Sequence, residues 1–436
     1  MDYRQAMHSR AATPQEAVRN IKSGDRVYLT SYCAVPQKVL KALVEYAPEL
    51  DNVEVCHSLI ISDADHTAPE MKNHLHVNTL FISDSVREAV QEGRVDFTPV
   101  LFSEYTLLFR DNFLPIDVAI IQCSPPDEHG FCSLGIEVGQ SKTPAESAKL
   151  IIAEINQQMP RTLGDSFIHF NRLDYVVPVD YKLPELSMSE GETNWVVEKI
   201  AEQIAELIPD YATLQMGIGA IPDAVLKYLN NKKELGVHTE LFSDGVIDPF
   251  ESGVLTGSRK SLHPGKIIAG FILGSQRLYE WVNDNPFIEM HPTEYVNDPF
   301  VIAQNYRQVA INSAIEIDLT GQVCADSLGH KLYSGVGGQL DFIYGASRSE
   351  GGIPIITLPS TITLPNGNTN SRISAMLTRG AGVTTTRNHI HYVVTEFGVA
   401  KLYGKTIRQR TQQLINIAHP DFREQLVYQA KELKYM

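Results

Sequence analysis

Residues 214–245 read LQMGIGAIPDAVLKYLNNKKELGVHTELFSDG. A short apolar run meets the turn Gly217-Ile218-Gly219, and Pro222 follows where the first turn of a helix tolerates proline. A second strand is predicted at 237–241, and it carries Glu240. Ligands of open α/β sheets bind outside the carboxyl ends of the strands. The pattern therefore predicts a strand, a glycine turn, a helix and a strand, with the turn and Glu240 facing one ligand.

Strand and helix patterns alternate along the rest of the chain, which predicts mostly parallel sheets with helices on their faces. Helices are expected at 145–155 and 195–208, and the last helix is expected to start at Thr406. The further strands are expected at 27–30, 53–56, 77–82, 95–102, 116–122, 266–273, 308–319, 353–358 and 391–395.

An internal repeat relates the two halves of the chain. Residues 34–43 (AVPQKVLKAL) line up with 220–229 (AIPDAVLKYL), and both follow one predicted strand and precede another. This similarity favours two related α/β halves, although two similar helix starts can also match by chance. A polar run at 188–193 suggests a domain boundary, so we predict domains at 1–190 and 191–436.

The composition excludes several classes of function. The chain has 436 residues and a formal net charge of −15, which argues against a nucleic-acid surface. No apolar run reaches the length of a membrane helix, and the first residues lack the apolar core of a signal peptide. Five cysteines in so long a chain fit free thiols in a reducing compartment. We therefore expect a cytoplasmic protein that binds neither nucleic acid nor membrane.

A second glycine group, SGVGGQ, lies at 334–339. Consecutive backbone N–H groups in such a turn can bind an anion, although a plain turn is the alternative. Neither glycine group is a nucleotide fingerprint, because Pro222 stands where a third glycine would be needed and no Walker pattern occurs. These departures argue against NAD or ATP as the ligand.

Three polar residues near these motifs are candidates for chemistry. Glu240 is either an ordinary carboxylate at a strand end or a nucleophile, and as a weak nucleophile it would need an activated substrate such as a thioester. Asn297, before Asp298-Pro299, is either a turn former or a site residue. His238 either tunes Glu240 or packs in the core.

Cysteine and histidine spacing does not indicate a metal site. Cys123, His129 and Cys132 match no standard zinc motif, and a catalytic zinc needs three protein ligands. We therefore expect no metal.

The segment 237–245, VHTELFSDG, resembles the acetyl-CoA hydrolase/transferase family, and within it the 4-hydroxybutyrate and butyryl-CoA:acetate CoA-transferases. The resemblance extends over nearly the whole chain through the segments 124–134, 215–222, 295–299, 310–323, 335–342, 358–360 and 391–398. It implies a fold of two related open α/β domains of the CoA-transferase type with mostly parallel sheets. It also implies transfer of CoA between acetyl-CoA and a short-chain carboxylate such as 4-hydroxybutyrate or butyrate.

The resemblance also implies roles for single residues. Glu240 falls on the catalytic glutamate, Asn297 on a polar residue near the reacting carbonyl, and Gly338 on the glycine whose amide helps to bind the thioester oxygen. The expected CoA contacts are Gln215, Met216, Gly217, Ile218, Gly219, Gly337 and Gly338. Coenzyme A is then a substrate, no further cofactor is needed, and relatives suggest a homo-oligomer such as a homodimer.

One position departs from the family pattern. Relatives often have a basic residue near the CoA phosphates where this chain has Glu350, so Arg372, Lys401 and Lys405 are alternative candidates for that contact. Two rival functions remain open at this point. An acyl-CoA hydrolase would use the same residues, and a non-catalytic acyl-CoA sensor would not need a buried nucleophile.

Overall fold

The computed structural model describes residues 3–62, 65–186, 194–217 and 219–436. The chain forms two compact units, Met1–Ser187 with Ile268–Val296 and Met188–Ile267 with Asn297–Met436. The two predicted domains placed 268–296 in the second half, whereas this segment packs in the first unit. There the ring of Phe271 stacks on that of Tyr32, with centroids 4.1 Å apart. The polar run at 188–193, the predicted boundary, lies outside the described residues.

The strands, in chain order, are β1 (Arg26–Leu29), β2 (Val53–His57), β3 (Leu75–Thr79), β4 (Val95–Phe97), β5 (Val118–Cys123), β6 (Phe131–Ser133), β7 (Leu150–Asn156), β8 (Phe167–His169), β9 (Tyr175–Val179), β10 (Thr213–Met216), β11 (Gly236–His238), β12 (Leu241–Phe242), β13 (Ile267–Ala269), β14 (Phe271–Ile272), β15 (Ile288–Met290), β16 (Gln308–Ser313), β17 (Glu316–Asp318), β18 (Val323–Cys324), β19 (Ser327–Leu328), β20 (Lys331–Leu332), β21 (Ile353–Thr357), β22 (Thr361–Thr363), β23 (Thr369–Ser371), β24 (Ile373–Ser374), β25 (Tyr392–Thr395) and β26 (Gly398–Lys401).

The α-helices are α1 (Tyr3–Ser9), α2 (Pro14–Val18), α3 (Gln37–Tyr46), α4 (Asp84–Gln91), α5 (Phe102–Tyr105), α6 (Leu107–Arg110), α7 (Lys142–Ser147), α8 (Trp195–Leu207), α9 (Ala220–Lys227), α10 (Ile247–Glu251), α11 (Gln276–Val282), α12 (Thr293–Val296), α13 (Pro299–Ile302), α14 (Gln339–Arg348), α15 (Ile407–Asn416) and α16 (Pro420–Glu432). Among the described residues, none of these helices is long and apolar enough to cross a lipid bilayer.

The first unit is built on a seven-stranded sheet with the order β4-β3-β2-β1-β5-β7-β9. Every neighbouring pair of these strands is parallel. Helix α3 buries Val39, Leu40, Ala42 and Leu43, which join the apolar core formed with the sheet. A parallel sheet that is covered in this way buries its central strands on both faces, and all six residues of β5 are buried.

The predicted helix at 145–155 is wrong. Helix α7 ends at Ser147, and the chain then forms β7, which pairs with β5 on one side and β9 on the other. Ile151, Ile152 and Ile155 in this strand are fully or almost fully buried. Their β-branched side chains favour the extended conformation, and burial on both faces removes the alternation that would have marked a strand in the sequence.

In the second unit, six strands of the main sheet follow the order β11-β10-β16-β21-β25-β26. Only the pair β25–β26 is antiparallel among these neighbours. Helix α14 connects β16 to β21 and packs against both strands. In such a crossover the helix runs back along the sheet, so its first turn lies by the carboxyl ends of the strands and its last turn by the amino ends.

Several element boundaries differ from the prediction. The strand predicted at 237–241 ends at His238, so Glu240 lies in the link between β11 and β12. Thr406 caps α15 as predicted, but α15 is not the last helix, because α16 follows it. The strands predicted at 77–82 and 95–102 end early, at Thr79 and Phe97, and those predicted at 266–273 and 308–319 are each divided in two.

The two copies of the repeat adopt the predicted arrangement. Residues 34–43 lead from β1 through α3 to β2, and residues 220–229 lead from β10 through α9 to β11. In both copies the two strands are parallel neighbours. The predicted fold class, two open α/β units with mostly parallel sheets, is confirmed.

Candidate active site

The two glycines of the turn after β10 have open space beside them. A Cβ atom built on Gly217 or Gly219 would meet nothing within 4 Å. Gly219 has a φ of 133°, a conformation that residues with a side chain rarely adopt, and it directly precedes α9. Ile218, one of the predicted CoA contacts, lies outside the described residues. The turn has the space that a backbone contact with CoA requires.

Gln215 and Met216 are the last two residues of β10, a central strand of the sheet. The Gln215 side chain is buried, and its Oε1 accepts hydrogen bonds from the Ile311 N–H at 3.1 Å and from Asn312 Nδ2 at 3.0 Å. It therefore ties β10 to β16. Met216 lines a small pocket together with Gly217 and Thr239. Contact of these residues with CoA stays a prediction.

Glu240 is held between β11 and β12 by its neighbours. Thr239 Oγ1 donates a hydrogen bond to the Met216 carbonyl oxygen at 3.1 Å, which fixes this link beside the glycine turn. The Glu240 Oε2 atom accepts a hydrogen bond from Asn297 Nδ2 at 2.8 Å. The backbone N–H of Gly338 also hydrogen-bonds to the carboxylate. Two donors from distant parts of the chain thus converge on Glu240.

Burial raises the pKa of Glu240 to about 8. The hydrogen bonds from Asn297 and from the Gly338 N–H act in the opposite direction, whereas the nearby charge of Asp341 raises the pKa further. Asp341 lies in the first turn of α14 and is itself buried. A carboxyl group with so high a pKa changes its charge near physiological pH, which is typical of functional sites.

Asn297 is fully buried, which separates it from an ordinary turn residue. Its neighbour Asp298 provides the N-cap of α13 by accepting a hydrogen bond from the Phe300 N–H. Asn297 is therefore free to point its Nδ2 at Glu240. Its Oδ1 atom is buried and has no hydrogen-bond partner among the described residues.

Glycine is required at the second glycine pair because the side chains of Glu240 and Asn297 approach its backbone closely. Gly337 has a φ of 59°, in the left-handed region, and Gly338 stands immediately before α14. A Cβ atom on Gly338 would lie 2.1 Å from Glu240 Oε2 and 2.3 Å from Asn297 Nδ2. No side chain fits there without moving the carboxylate. The Gly338 N–H also belongs to a helix amino terminus, which favours negative charge.

Gln339, which sequence reasoning did not single out, anchors this glycine pair. Its Nε2 donates a hydrogen bond to the Ser313 carbonyl oxygen at 2.7 Å, and its Oε1 accepts one from Thr385 Oγ1 at 3.0 Å. Gln339 thereby holds the start of α14 at the end of β16. Its position at the end of the SGVGGQ motif was the one available signal.

The structure also places the remaining candidates. His238 is buried with its ring 6.3 Å from that of Phe342, as the core interpretation predicted. In the first unit, Cys123 and Cys132 are buried whereas the His129 side chain is 74% exposed. The two thiols lie together in the interior, and the exposed imidazole occupies a different environment.

Glu350 and the three alternative candidates for the CoA phosphates lie at different edges of the second sheet. The Glu350 carbonyl oxygen accepts a hydrogen bond from the Arg307 N–H ahead of β16, at the amino edge. Lys401 pairs with the amino end of β25, and Lys405 follows β26. Arg372 donates to the carbonyl oxygen of Ala314, just after β16, so it alone lies at the carboxyl edge.

Comparison with known proteins agrees with this arrangement. The model of the acetyl-CoA hydrolase/transferase N-terminal domain matches residues 1–185, and that of the C-terminal domain matches residues 274–430. The 4-hydroxybutyrate coenzyme A transferase of Clostridium kluyveri is 46% identical over 432 residues, covering 99% of this chain and 100% of that protein. The butyryl-CoA:acetate CoA-transferase of Anaerostipes caccae is 35% identical over 438 residues, covering 99% and 98%.

A solved structure gives the same result. The crystal structure of a 4-hydroxybutyrate CoA-transferase from Porphyromonas gingivalis superposes with a TM-score of 0.85 at 39% identity, covering 99% of this chain and 100% of that one. Fold and sequence together define an enzyme of the CoA-transferase type. The chain belongs to the acetyl-CoA hydrolase/transferase family.

Proposed function

We propose that this enzyme moves CoA between acetyl-CoA and a short-chain carboxylate, such as 4-hydroxybutyrate or butyrate, through a thioester on Glu240. The observation that carries the proposal is the carboxylate of Glu240, which is held by the Asn297 amide and the Gly338 N–H. The names of the full-length relatives support CoA transfer as the reaction and short acids as the substrates.

The transfer proceeds in two halves. A Glu240 oxygen attacks the thioester carbonyl of acetyl-CoA, and the C–S bond breaks to give an acetyl–glutamyl anhydride and CoA thiolate. The thiolate then attacks the glutamyl carbonyl, and acetate leaves with the bridging oxygen. The resulting Glu240–CoA thioester reacts in reverse with the incoming carboxylate, which departs as the new acyl-CoA. One thioester replaces another, so no ATP or cofactor is consumed and coenzyme A is only a substrate.

Negative charge develops on oxygen at each tetrahedral stage. The donors that hold the Glu240 carboxylate, Asn297 Nδ2 and the Gly338 N–H, are suited to stabilise such an oxyanion beside it. A preorganised donor of this kind typically contributes about 3–4 kcal/mol to lowering the barrier. Gln339 keeps the Gly338 N–H in place through its hydrogen bonds to Ser313 and Thr385.

A covalent intermediate gives the direct test of this mechanism. The protein is incubated with acetyl-CoA in the absence of an acceptor acid, quenched, digested and examined by mass spectrometry. We expect CoA attached to the peptide that carries Glu240, and borohydride should reduce the thioester at that side chain. Glu350→Gln, at the opposite edge of the sheet, should still form the adduct. An adduct that persists in Glu240→Gln would contradict the proposal.

Hydrolysis is the second candidate function, because the family includes hydrolases and water can attack the same anhydride. The two functions differ in their need for an acid. A transferase hands CoA from one acid to the other and releases no free thiol, whereas a hydrolase releases thiol continuously from acetyl-CoA alone. A thiol assay on acetyl-CoA alone detects hydrolysis, and chromatography for a new acyl-CoA after addition of 4-hydroxybutyrate detects transfer. Tight CoA binding with neither reaction would instead indicate a sensor.

Removing the Asn297 amide is expected to shift the pH dependence of the reaction. Glu240 must be ionised to attack, so kcat/KM of the wild type should rise with pH through about 8. The Asn297 hydrogen bond lowers the pKa of Glu240, so Asn297→Ala should raise this pKa. The rise of kcat/KM with pH should then occur at higher pH than in the wild type. At pH 7 kcat/KM should fall by about tenfold or more. Initial rates between pH 5.5 and 9.5 provide the measurement.

The control for this experiment is Asn416→Ala. Asn416 ends the exposed side of α15, where its Oδ1 accepts a hydrogen bond from Gln412. This variant should keep the wild-type profile. If kcat/KM of Asn297→Ala rises at the same pH as that of the wild type, the amide does not act on the nucleophile.

A further inference from the structure

A cavity of about 780 Å³ opens in the second unit, at the amino edge of its sheet. Three of its lining residues precede three neighbouring parallel strands: Tyr211 precedes β10, Arg307 precedes β16 and Glu350 precedes β21. Glu240 and the two glycine turns belong to the opposite, carboxyl edge. The cavity is therefore separate from the candidate active site, and its size is typical of a site for a small ligand.

Positive charge is concentrated at this cavity. Arg259, Arg307 and Arg348 line it, and Glu350 is the one carboxylate among its lining residues in the described part of the chain. The whole chain, in contrast, has a formal net charge of −15. A cluster of three guanidinium groups on an acidic protein provides a local field that attracts anions.

Tyrosine rings hold each guanidinium group. The Cζ atom of Arg307 lies 4.9 Å from the ring centroid of Tyr306, and that of Arg259 lies 5.1 Å from the centroid of Tyr211. Arg348 lies over the ring of Tyr344 at 5.5 Å. Such contacts restrict the guanidinium groups. Arg259 also pairs with Glu234 at 3.9 Å, and the N–H donors that these protein contacts leave unused can face a ligand.

The backbone is adapted to the central arginine. Arg307 has a φ of 52°, and its Nη1 donates a hydrogen bond to the Asp210 carbonyl oxygen at 2.8 Å. A Cβ atom at position 351 would lie 3.1 Å from Arg307 Cγ, so the glycine there leaves room for this side chain. The left-handed conformation is strained for a non-glycine residue, and such strained residues are often found at ligand sites.

A buried acceptor adds a second polar feature. Asn305 is fully buried at the cavity wall, and its Oδ1 has no hydrogen-bond partner among the described residues. A hydroxyl or amino group of a ligand can satisfy this atom once the amide turns towards the cavity, whereas a simple anion cannot. The cavity therefore combines donors for an anionic group with one acceptor for a neutral group.

We propose that this cavity binds a small anion containing a pyrophosphate group. Guanidinium groups match phosphate oxygens through paired N–H donors, and three of them suit two linked phosphates better than one short carboxylate. Two sources share this chemistry, inorganic pyrophosphate and a nucleoside diphosphate. Asn305 favours the second, because a nucleoside carries donors that can reach Oδ1. This proposal does not depend on CoA transfer.

The test is isothermal titration calorimetry of the full chain with pyrophosphate and with ADP as probes. We expect one site per chain, with ADP bound more tightly than pyrophosphate. Arg307→Gln and Arg348→Gln should each weaken binding of both probes by about tenfold or more, since each removes charged donors. Glu350→Gln should tighten binding because it removes the opposing carboxylate. Arg172→Gln, in the first unit, is the matched control and should bind like the wild type.

The outcomes separate the alternatives. Equal affinity for both probes still supports a phosphate site but assigns the affinity to the phosphates alone. Two results would overturn the proposal. One is absence of binding by the wild type at millimolar concentrations of the probes. The other is a wild-type affinity in all three variants, Arg307→Gln, Arg348→Gln and Glu350→Gln. Circular dichroism verifies the fold of each variant. CoA exchange by Arg348→Gln should be unchanged, and its loss alone would leave the binding result intact.

Discussion

Glu240→Ala is expected to abolish CoA exchange while acyl-CoA still binds. The proposed intermediates are all bonds to this one carboxylate, and loss of a covalent nucleophile typically lowers kcat by about 10⁴-fold or more. The nearby donors, Asn297 and the Gly338 N–H, remain in the variant. Exchange of labelled acetate into acetyl-CoA measures the first property, and calorimetry with acetyl-CoA measures the second.

Two further variants make this result specific. Glu202→Gln removes a carboxyl group on α8 that forms an ion pair with Lys199, far along the chain from the site, and it should exchange CoA normally. Glu240→Asp keeps the charge but shortens the arm, so the anhydride should be misplaced and hydrolysis should gain relative to transfer. Substantial exchange by Glu240→Ala would remove the nucleophile assignment.

Gly338→Ala is expected to lower kcat by about 10²–10³-fold in a protein that still folds. The added methyl group would lie 2.1 Å from Glu240 Oε2 and 2.3 Å from Asn297 Nδ2, so both side chains must move. Misplacement of a reacting group by about 1 Å costs rate on this scale, as does loss of an oxyanion donor. The backbone at Gly338 has a φ of −96°, which alanine also adopts, so the effect is steric rather than conformational.

Steady-state kinetics and thermal unfolding test this prediction together. Ser347→Ala, in the same helix α14, removes one hydrogen bond to the Tyr344 carbonyl oxygen and is the control for a general disturbance of the helix. It should retain kcat. A Gly338→Ala variant with the wild-type kcat would mean that the close approach to Glu240 is not needed during turnover.

Much of the second unit follows from local patterns. The prediction of a strand, a glycine turn, a helix and a second strand in 214–245 was confirmed. An apolar strand, a glycine turn and an amphipathic helix are each specified by neighbouring residues. The helix at 195–208 was also confirmed, since its apolar side chains recur at helical spacing. The helix predicted at 145–155 failed because β7 is buried on both faces, so its sequence has no alternation to read.

For the candidate active site, too, some features could be predicted from the sequence and others could not. The order of residues in the chain identified Glu240 and both glycine turns as candidates, and it placed Glu240 and the first of these turns at the carboxyl edge of a parallel sheet. The chain order did not show that Asn297, 57 residues from Glu240, would donate to its carboxylate. It also could not show Gln339 and Asp341 as neighbours of the site, or the arginines gathered at the amino edge. Hydrogen bonds, burial and charge depend on distances in space, and those distances are set by the packing of strands and helices, including that of α14 against β16 and β21.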